Sequence, residues 1–193
     1  MSRKIFVIRH GETIFNSEQK LQGHCNSDLT LKGQNQAISV GKQLKKYVDT
    51  TTCNIYCSPL GRAVQTAYII CSEIGLTHEK LIKDDRVKEF SLGLWEQRTI
   101  PSIIKEHPKL LDNNDWYLQA PDCESYESVR ERLLSWINDL PKDNDIIVVS
   151  HGLTGIVLRG ILSNLDYEST WKQDLPQDAF FIIEDEKMKR INC

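Results

Sequence analysis

A three-layer α/β/α sandwich around a mostly parallel sheet is the architecture to expect from this 193-residue chain. Apolar, β-branched runs of strand length alternate with stretches of helical periodicity, the pattern that βαβ units leave in a sequence. Three of the runs, Ile5-Phe6-Val7-Ile8, Cys53-Asn54-Ile55-Tyr56-Cys57 and Ile146-Ile147-Val148-Val149, lead straight into polar motifs. Those motifs are Arg9-His10-Gly11-Glu12-Thr13, Ser58-Pro59-Leu60-Gly61-Arg62 and Ser150-His151-Gly152. Ligands of open α/β sheets sit just beyond the carboxyl ends of strands, so two imidazoles and two guanidinium groups are expected at one sheet edge.

In order along the chain, the first strand starts near Lys4, and a polar loop follows it through Asn26. Thr30 then caps a helix striped by Ala37, Val40, Leu44, Tyr47 and Val48. The strand at about 53–57 precedes a helix opened by Pro59, with Ala63, Ala67, Ile70, Cys71 and Ile74 on one face. Leu81-Ile82 starts a third strand. Residues 86–120 carry Phe90, Trp95 and Trp116 among Pro101 and Pro108 and read as irregular, a lid-like insertion in a single domain spanning 1–193. A helix over roughly 124–140, striped by Tyr126, Val129, Leu133, Trp136, Ile137 and Leu140, precedes the strand at 145–150. Another helix opens at Gly152, and the tail from Ala179 reads as a hairpin that adds an antiparallel edge strand.

A formal net charge of −3 gives no global basic field, which argues against nucleic-acid or anionic-membrane partners. No apolar run approaches the ~20 residues that span a bilayer. A cleaved leader is not expected either, because Arg9-His10 follow the first strand at once. The six cysteines fit no zinc spacing and read as small buried hydrophobes, so the cytoplasm is the default location. The tail hairpin is able to pair across a homodimer, or to be blunted by Glu184, Asp185, Glu186 and Lys187.

The residue types at the predicted edge suit a phosphate group. A transferring phosphoryl spreads its charge over three equatorial oxygens, and an arginine fork holds two of them without losing its proton. Arg62 falls in the first turn of a helix, where free N–H groups favour an anion, and Gly152 opens a second such helix. The chain has no P-loop, no Asp-rich magnesium cluster and no metal-type histidine spacing, so neither a metal nor another cofactor is expected. A side chain must then attack phosphorus, and a neutral imidazole is able to. His10 and His151 end strands, whereas His24, His78 and His107 lie in loops. A general acid is also needed for the leaving oxygen. Glu89, flanked by Phe90, Leu92, Leu94 and Trp95, is the first choice, with Glu12, Asp85 and Glu96 as rivals.

These motifs resemble the histidine phosphatase superfamily, also called phosphoglycerate mutase-like. The hallmark Arg-His-Gly stands as Arg9-His10-Gly11, the Ser-Pro-x-x-Arg-x-x-x-Thr-Ala block as Ser58 to Ala67, and the closing Ser-His-Gly as Ser150 to Gly152. Val87 to Glu96 matches the acid-bearing segment, and Gln22-Gly23 and Leu29 to Ala37 also fit. The resemblance implies that His10 is the nucleophile, that Arg9, Arg62 and His151 hold phosphate with help from Asn16, Gln22, Gly23 and Gly152, and that Glu89 is the proton donor. It departs at Gln97 and Cys123, where many relatives have glycine, and at Asp28, where proline is usual.

The expected activity is hydrolysis of a small phosphorylated metabolite, with no metal, through a phosphohistidine. One alternative is a phosphoglycerate mutase, set second because the segment after Glu89 lacks an Arg-x-Tyr-Gly pattern and no long tail follows the last strand. A cysteine nucleophile at Cys57 is set aside, since four residues rather than five separate it from Arg62. A non-catalytic phosphate-binding regulatory module is the reading from another class.

Overall fold

The computed structural model describes residues 3–193 and consists of one six-stranded sheet between two layers of helices. The strands are β1 (Ile5–Arg9), β2 (Cys53–Cys57), β3 (Leu81–Lys83), β4 (Asp145–Ser150), β5 (Ala179–Glu184) and β6 (Lys187–Asn192). The helices are α1 (Ile14–Ser17), α2 (Leu31–Leu44), α3 (Gly61–Ile74), α4 (Ile100–Glu106), α5 (Tyr126–Asp139), α6 (Gly152–Leu162) and α7 (Tyr167–Trp171). The sheet order is β3-β2-β4-β1-β5-β6. The first four strands in that order are mutually parallel, and β5 and β6 each run antiparallel to the preceding one. The tail therefore adds two antiparallel strands: β5 lies inside the sheet, and β6 forms its edge.

The two-residue period of the strands builds the layers. Ile5, Val7, Ile146 and Val148 point into one core with Val129, Leu133 and Trp136 of α5 and Ile156 and Val157 of α6. Their neighbours Phe6, Ile8, Ile147 and Val149 point into the other, with Val40 and Leu44 of α2 and Ala63, Ala67 and Ile70 of α3. Near-continuous apolar runs are thus buried on both faces, as central parallel strands require. Each buried Val, Leu or Ile contributes about 1.5–3 kcal/mol.

Several boundaries differ from the sequence expectation. The second-layer helix α3 opens at Gly61 rather than at Pro59, because Ser58 Oγ accepts the Leu60 N–H (3.2 Å) and shapes residues 58–60 as a turn ahead of it. The stretch 86–120 is not wholly irregular. Thr99 caps α4 by accepting the Ser102 N–H, with Pro101 in its first turn. Val87, Phe90, Leu92, Trp95, Ile103, Leu110, Trp116 and Ala120 from this stretch are buried in the first core. The short α7, capped by Asp166, was not foreseen. Cys57 and Cys71 are buried as expected, but Cys25, Cys53 and Cys123 are only half-buried and Cys193 is exposed, since they fall in loops or at the ends of strands. All six are free thiols. Among the described residues no helix is long and apolar enough to cross a membrane.

Candidate active site

Parallel pairing brings the carboxyl ends of β1, β2 and β4 to one edge, and the ladder continues one residue past β1 and β2. The His10 N–H donates to Ser150 O and the Ser58 N–H to Val149 O, both at 3.0 Å. Beyond it the chain is held by close contacts. Gly11 N–H donates to Thr66 Oγ1 (3.1 Å), whose hydroxyl donates to Arg62 O (2.8 Å). The start of α2 lies directly on this turn: a Cβ on Gly33 would stand 2.0 Å from Glu12 O, and one on Gly11 2.3 Å from Gly33 O. Only two glycines permit that approach.

The protonation of His10 follows from its partners. Nδ1 lies 2.8 Å from the Gly11 carbonyl oxygen, which only accepts, so Nδ1 carries the proton and Nε2 the lone pair. Arg62 Nε–H donates to that lone pair at 3.2 Å. Burial, then the guanidinium groups of Arg62 and Arg9, hold the His10 imidazole well below its usual range. His10 is therefore neutral near pH 7, as a nucleophile must be. Burial also brings Arg62 down to about 10, still far above neutrality, while Glu89 pulls the other way. Its two terminal nitrogens donate to Gly23 O (2.8 Å) and Cys25 O (2.7 Å), which fixes the 22–25 loop.

His151 stands edge-on to His10, with ring centres 5.3 Å apart. Burial first, then Arg62 and His10, hold it too well below the usual histidine range. Its Nε2 lies 2.7 Å from Ser58 Oγ, and its Nδ1 is buried without a partner. Arg9 reaches Leu175 O at 2.5 Å and packs on Gly152, where a Cβ would lie 3.4 Å from its Nε. That Nε is likewise buried and unpaired. Glu89 is held at the start of α6: its carboxyl accepts from Leu153 N (3.1 Å), Thr154 N (2.9 Å) and Phe90 N (3.1 Å). These partners are polar. Of the apolar neighbours expected around Glu89, Leu94 is exposed and forms no part of its surroundings.

A cavity of about 690 Å³, mouth included, opens here and is lined by Arg9, His10, Asn16, Gln22, Gly23, Arg62, Glu89 and Gly152. Eight of the nine expected site residues thus share one wall. The ninth, His151, lies just behind it, lining a smaller hollow with Arg9 and Gly152. Of the four candidate acids, Glu89 alone lines the cavity. Glu12 is engaged by Lys32 and Thr30, Asp85 by Lys88, and Glu96 by His24 N and Cys25 Sγ. Asn16 Oδ1 accepts from Thr13 N and Gln177 Nε2, which leaves its amide protons as its free donors. Gln177, which also donates to His10 O (3.2 Å), lies in no motif and gave no signal. Ser58 was visible only as part of its motif, without a role. The outer wall, Leu21, Leu92, Ile100, Tyr117 and Leu175, comes from loops, short turns and the start of α4, whose proximity no periodicity reveals.

The model of the histidine phosphatase superfamily (branch 1) matches residues 5–190. A protein of Salmonella arizonae named "Probable phosphoglycerate mutase GpmB" is 34% identical over 156 residues, covering 78% of this chain and 70% of its own. Among solved structures, YhfR of Bacillus stearothermophilus superposes with a TM-score of 0.80 at 27% identity, over 99% of this chain and 96% of that one. The alpha-ribazole phosphatase of Shigella flexneri does so at 0.78 and 25% identity, over 98% and 95%.

Proposed function

The chain belongs to the histidine phosphatase superfamily, and on that footing we propose that it hydrolyses a small phosphomonoester through a phosphohistidine on His10. The observation that carries this reading is the His10 Nδ1 contact to Gly11 O, which reserves the Nε2 lone pair for phosphorus. The substrate phosphate lies between Arg9 and Arg62, with donors from Asn16, Gln22 and the backbone of Gly23 and Gly152. Arg62 Nε–H moves from His10 Nε2 to a phosphate oxygen as substrate binds. Nε2 then forms a bond to phosphorus while the bond to the ester oxygen breaks, and Glu89 gives that oxygen a proton. In the second half, water attacks the phosphohistidine, Glu89 takes back a proton, and inorganic phosphate leaves.

Two features support the assignments. His151 Nδ1 is the only polar atom of that ring without a partner, and a Ser58 hydroxyl donating to Nε2 makes Nδ1 a donor for the phosphate. The Thr154 hydroxyl has one proton for two acceptors, Lys88 O (2.7 Å) and Glu89 Oε1 (3.0 Å). When it serves Lys88 O, Oγ1 is free to accept from a protonated Glu89. The proposed setting is the cytoplasm, with a small phosphorylated metabolite as substrate.

Phosphate release from p-nitrophenyl phosphate and a panel of phosphorylated metabolites, in chelator, tests the reading. His10→Asn should lower kcat by about a thousandfold or more, with Cys57→Ser active. An active His10→Asn enzyme contradicts it. The mutase reading draws on the name of the Salmonella relative. Phosphoryl transfer between hydroxyls of phosphoglycerate with little hydrolysis is the result that would install it.

A further inference from the structure

Beyond the phosphate cradle, the cavity wall changes character. Leu21, Leu92, Leu153, Ile100, Tyr117 and Leu175 line it, and Leu21, Leu92 and Leu153 are buried. The two loops that supply much of this wall are zipped together: Leu21 N–H donates to Arg98 O (2.9 Å), Gln97 N–H to Leu21 O (2.7 Å) and Ile100 N–H to Gln19 O (2.8 Å). The wall is therefore a built surface.

Charge on the lining decides what it fits. Arg9 and Arg62 together match the nearly two negative charges of a phosphate monoester. The one other cation on the lining is Lys20. It is already engaged, 2.8 Å from Glu18 Oε2 and over the Phe15 ring at 5.3 Å. The nearby Arg98 and Arg132 are paired with Glu106 and Glu124. Against these stands Glu89 on the same wall, together with Gln22 Oε1, a buried acceptor with no donor among the described residues. A carboxylate on the leaving group would meet acceptors and an acid here, with no free cation to pair it, and a buried unpaired charge is unfavourable.

Resting on the phosphatase reading above, we infer that the leaving group is an uncharged alcohol with an apolar or aromatic body. It is not a carboxylate-bearing one. Leu21, Ile100, Tyr117 and Leu175 cover that body, as the apolar walls of ligand pockets commonly do. A hydroxyl or N–H on the leaving group gives Gln22 Oε1 its donor.

The test compares phenethyl phosphate with 3-phosphoglycerate, both esters of primary alcohols, so that leaving-group chemistry does not set the order. The kcat/KM for phenethyl phosphate should exceed that for phosphoglycerate at least about tenfold. Ile100→Lys, which places a cation on the wall away from the phosphate, should reduce that ratio by about tenfold. Calorimetric binding of two non-hydrolysable phosphonates, phenylpropylphosphonate and hydroxyphosphonobutanoate, should show the same preference. Equal or better use of phosphoglycerate, or tighter binding of the carboxylate phosphonate, overturns the inference. A protein that prefers phenylpropylphosphonate but hydrolyses nothing keeps this assignment of the wall and loses the phosphatase reading.

Discussion

The chemistry of single atoms decides most of this site. One carbonyl, Gly11 O, selects the His10 tautomer, and burial first, then the charges of Arg62 and Arg9, keeps the ring neutral by making a further positive charge unfavourable. Ser58 bears the corresponding relation to His151, through the 2.7 Å contact to Nε2. It touches no reacting atom, so it is a positioning residue. Ser58→Ala removes the partner of a buried ring nitrogen, and leaving a buried polar group unsatisfied costs about 1–3 kcal/mol. The expected result is a roughly tenfold to hundredfold fall in kcat with KM changed much less. Steady-state kinetics on p-nitrophenyl phosphate would show it, and an unchanged kcat would remove Ser58 from the assembly. Asn16 follows the same logic. Thr13 and Gln177 occupy its oxygen, so the side chain offers donors only.

At the scale of elements, the loops set what the strands present. Gln97, one of the departures from the family pattern, has a φ of 65°, in the left-handed region that glycine enters freely. Its N–H closes the 2.7 Å bond to Leu21 O, so the strain sits where the two wall-forming loops are zipped together. Left-handed backbone costs about 1–2 kcal/mol for a residue with a Cβ. Gln97→Gly should be neutral or stabilising by up to about 1 kcal/mol after the added freedom of the unfolded chain. Gln97→Ile should destabilise by about 1–2 kcal/mol. Urea denaturation separates the two, and equal stabilities would mean that the loop relaxes. The strands and long helices were legible because burial on two faces writes period 2 and helical stripes into the sequence: Phe6 and Val7 fall on opposite sides as their alternation requires. The segment 86–120 was not legible, since α4 spans seven residues and its apolar side chains pack without a period. The phosphate cradle could be read from three motifs, whereas Tyr117, Leu175 and Gln177 reach it only through tertiary folding.

For the whole molecule, two neutral imidazoles in one buried site tie stability to pH. Both His10 and His151 lie well below the ordinary 6.5, chiefly through burial. As pH falls below 6.5 the unfolded chain binds protons there that the folded chain does not, so stability drops with falling pH. The slope approaches about 1.4 kcal/mol per pH unit for each histidine. Loss from carboxylates such as Glu12 and Asp84, whose folded values are lowered by partners, sets in below about pH 5. Between pH 6.5 and 5 the double variant His10→Asn, His151→Asn should therefore show a clearly flatter dependence of unfolding free energy than the parent. Parallel slopes would mean that the two rings are charged in the fold.

The proposed covalent step on His10 is what joins these scales, and rapid acid-free quenching with a phosphorus-labelled substrate tests it. The label should appear on the protein within one turnover as an acid-labile, base-stable adduct that maps to His10 and is absent from His10→Asn. Phosphate release at full rate with no such adduct, or an adduct on Cys57, would contradict a histidine nucleophile.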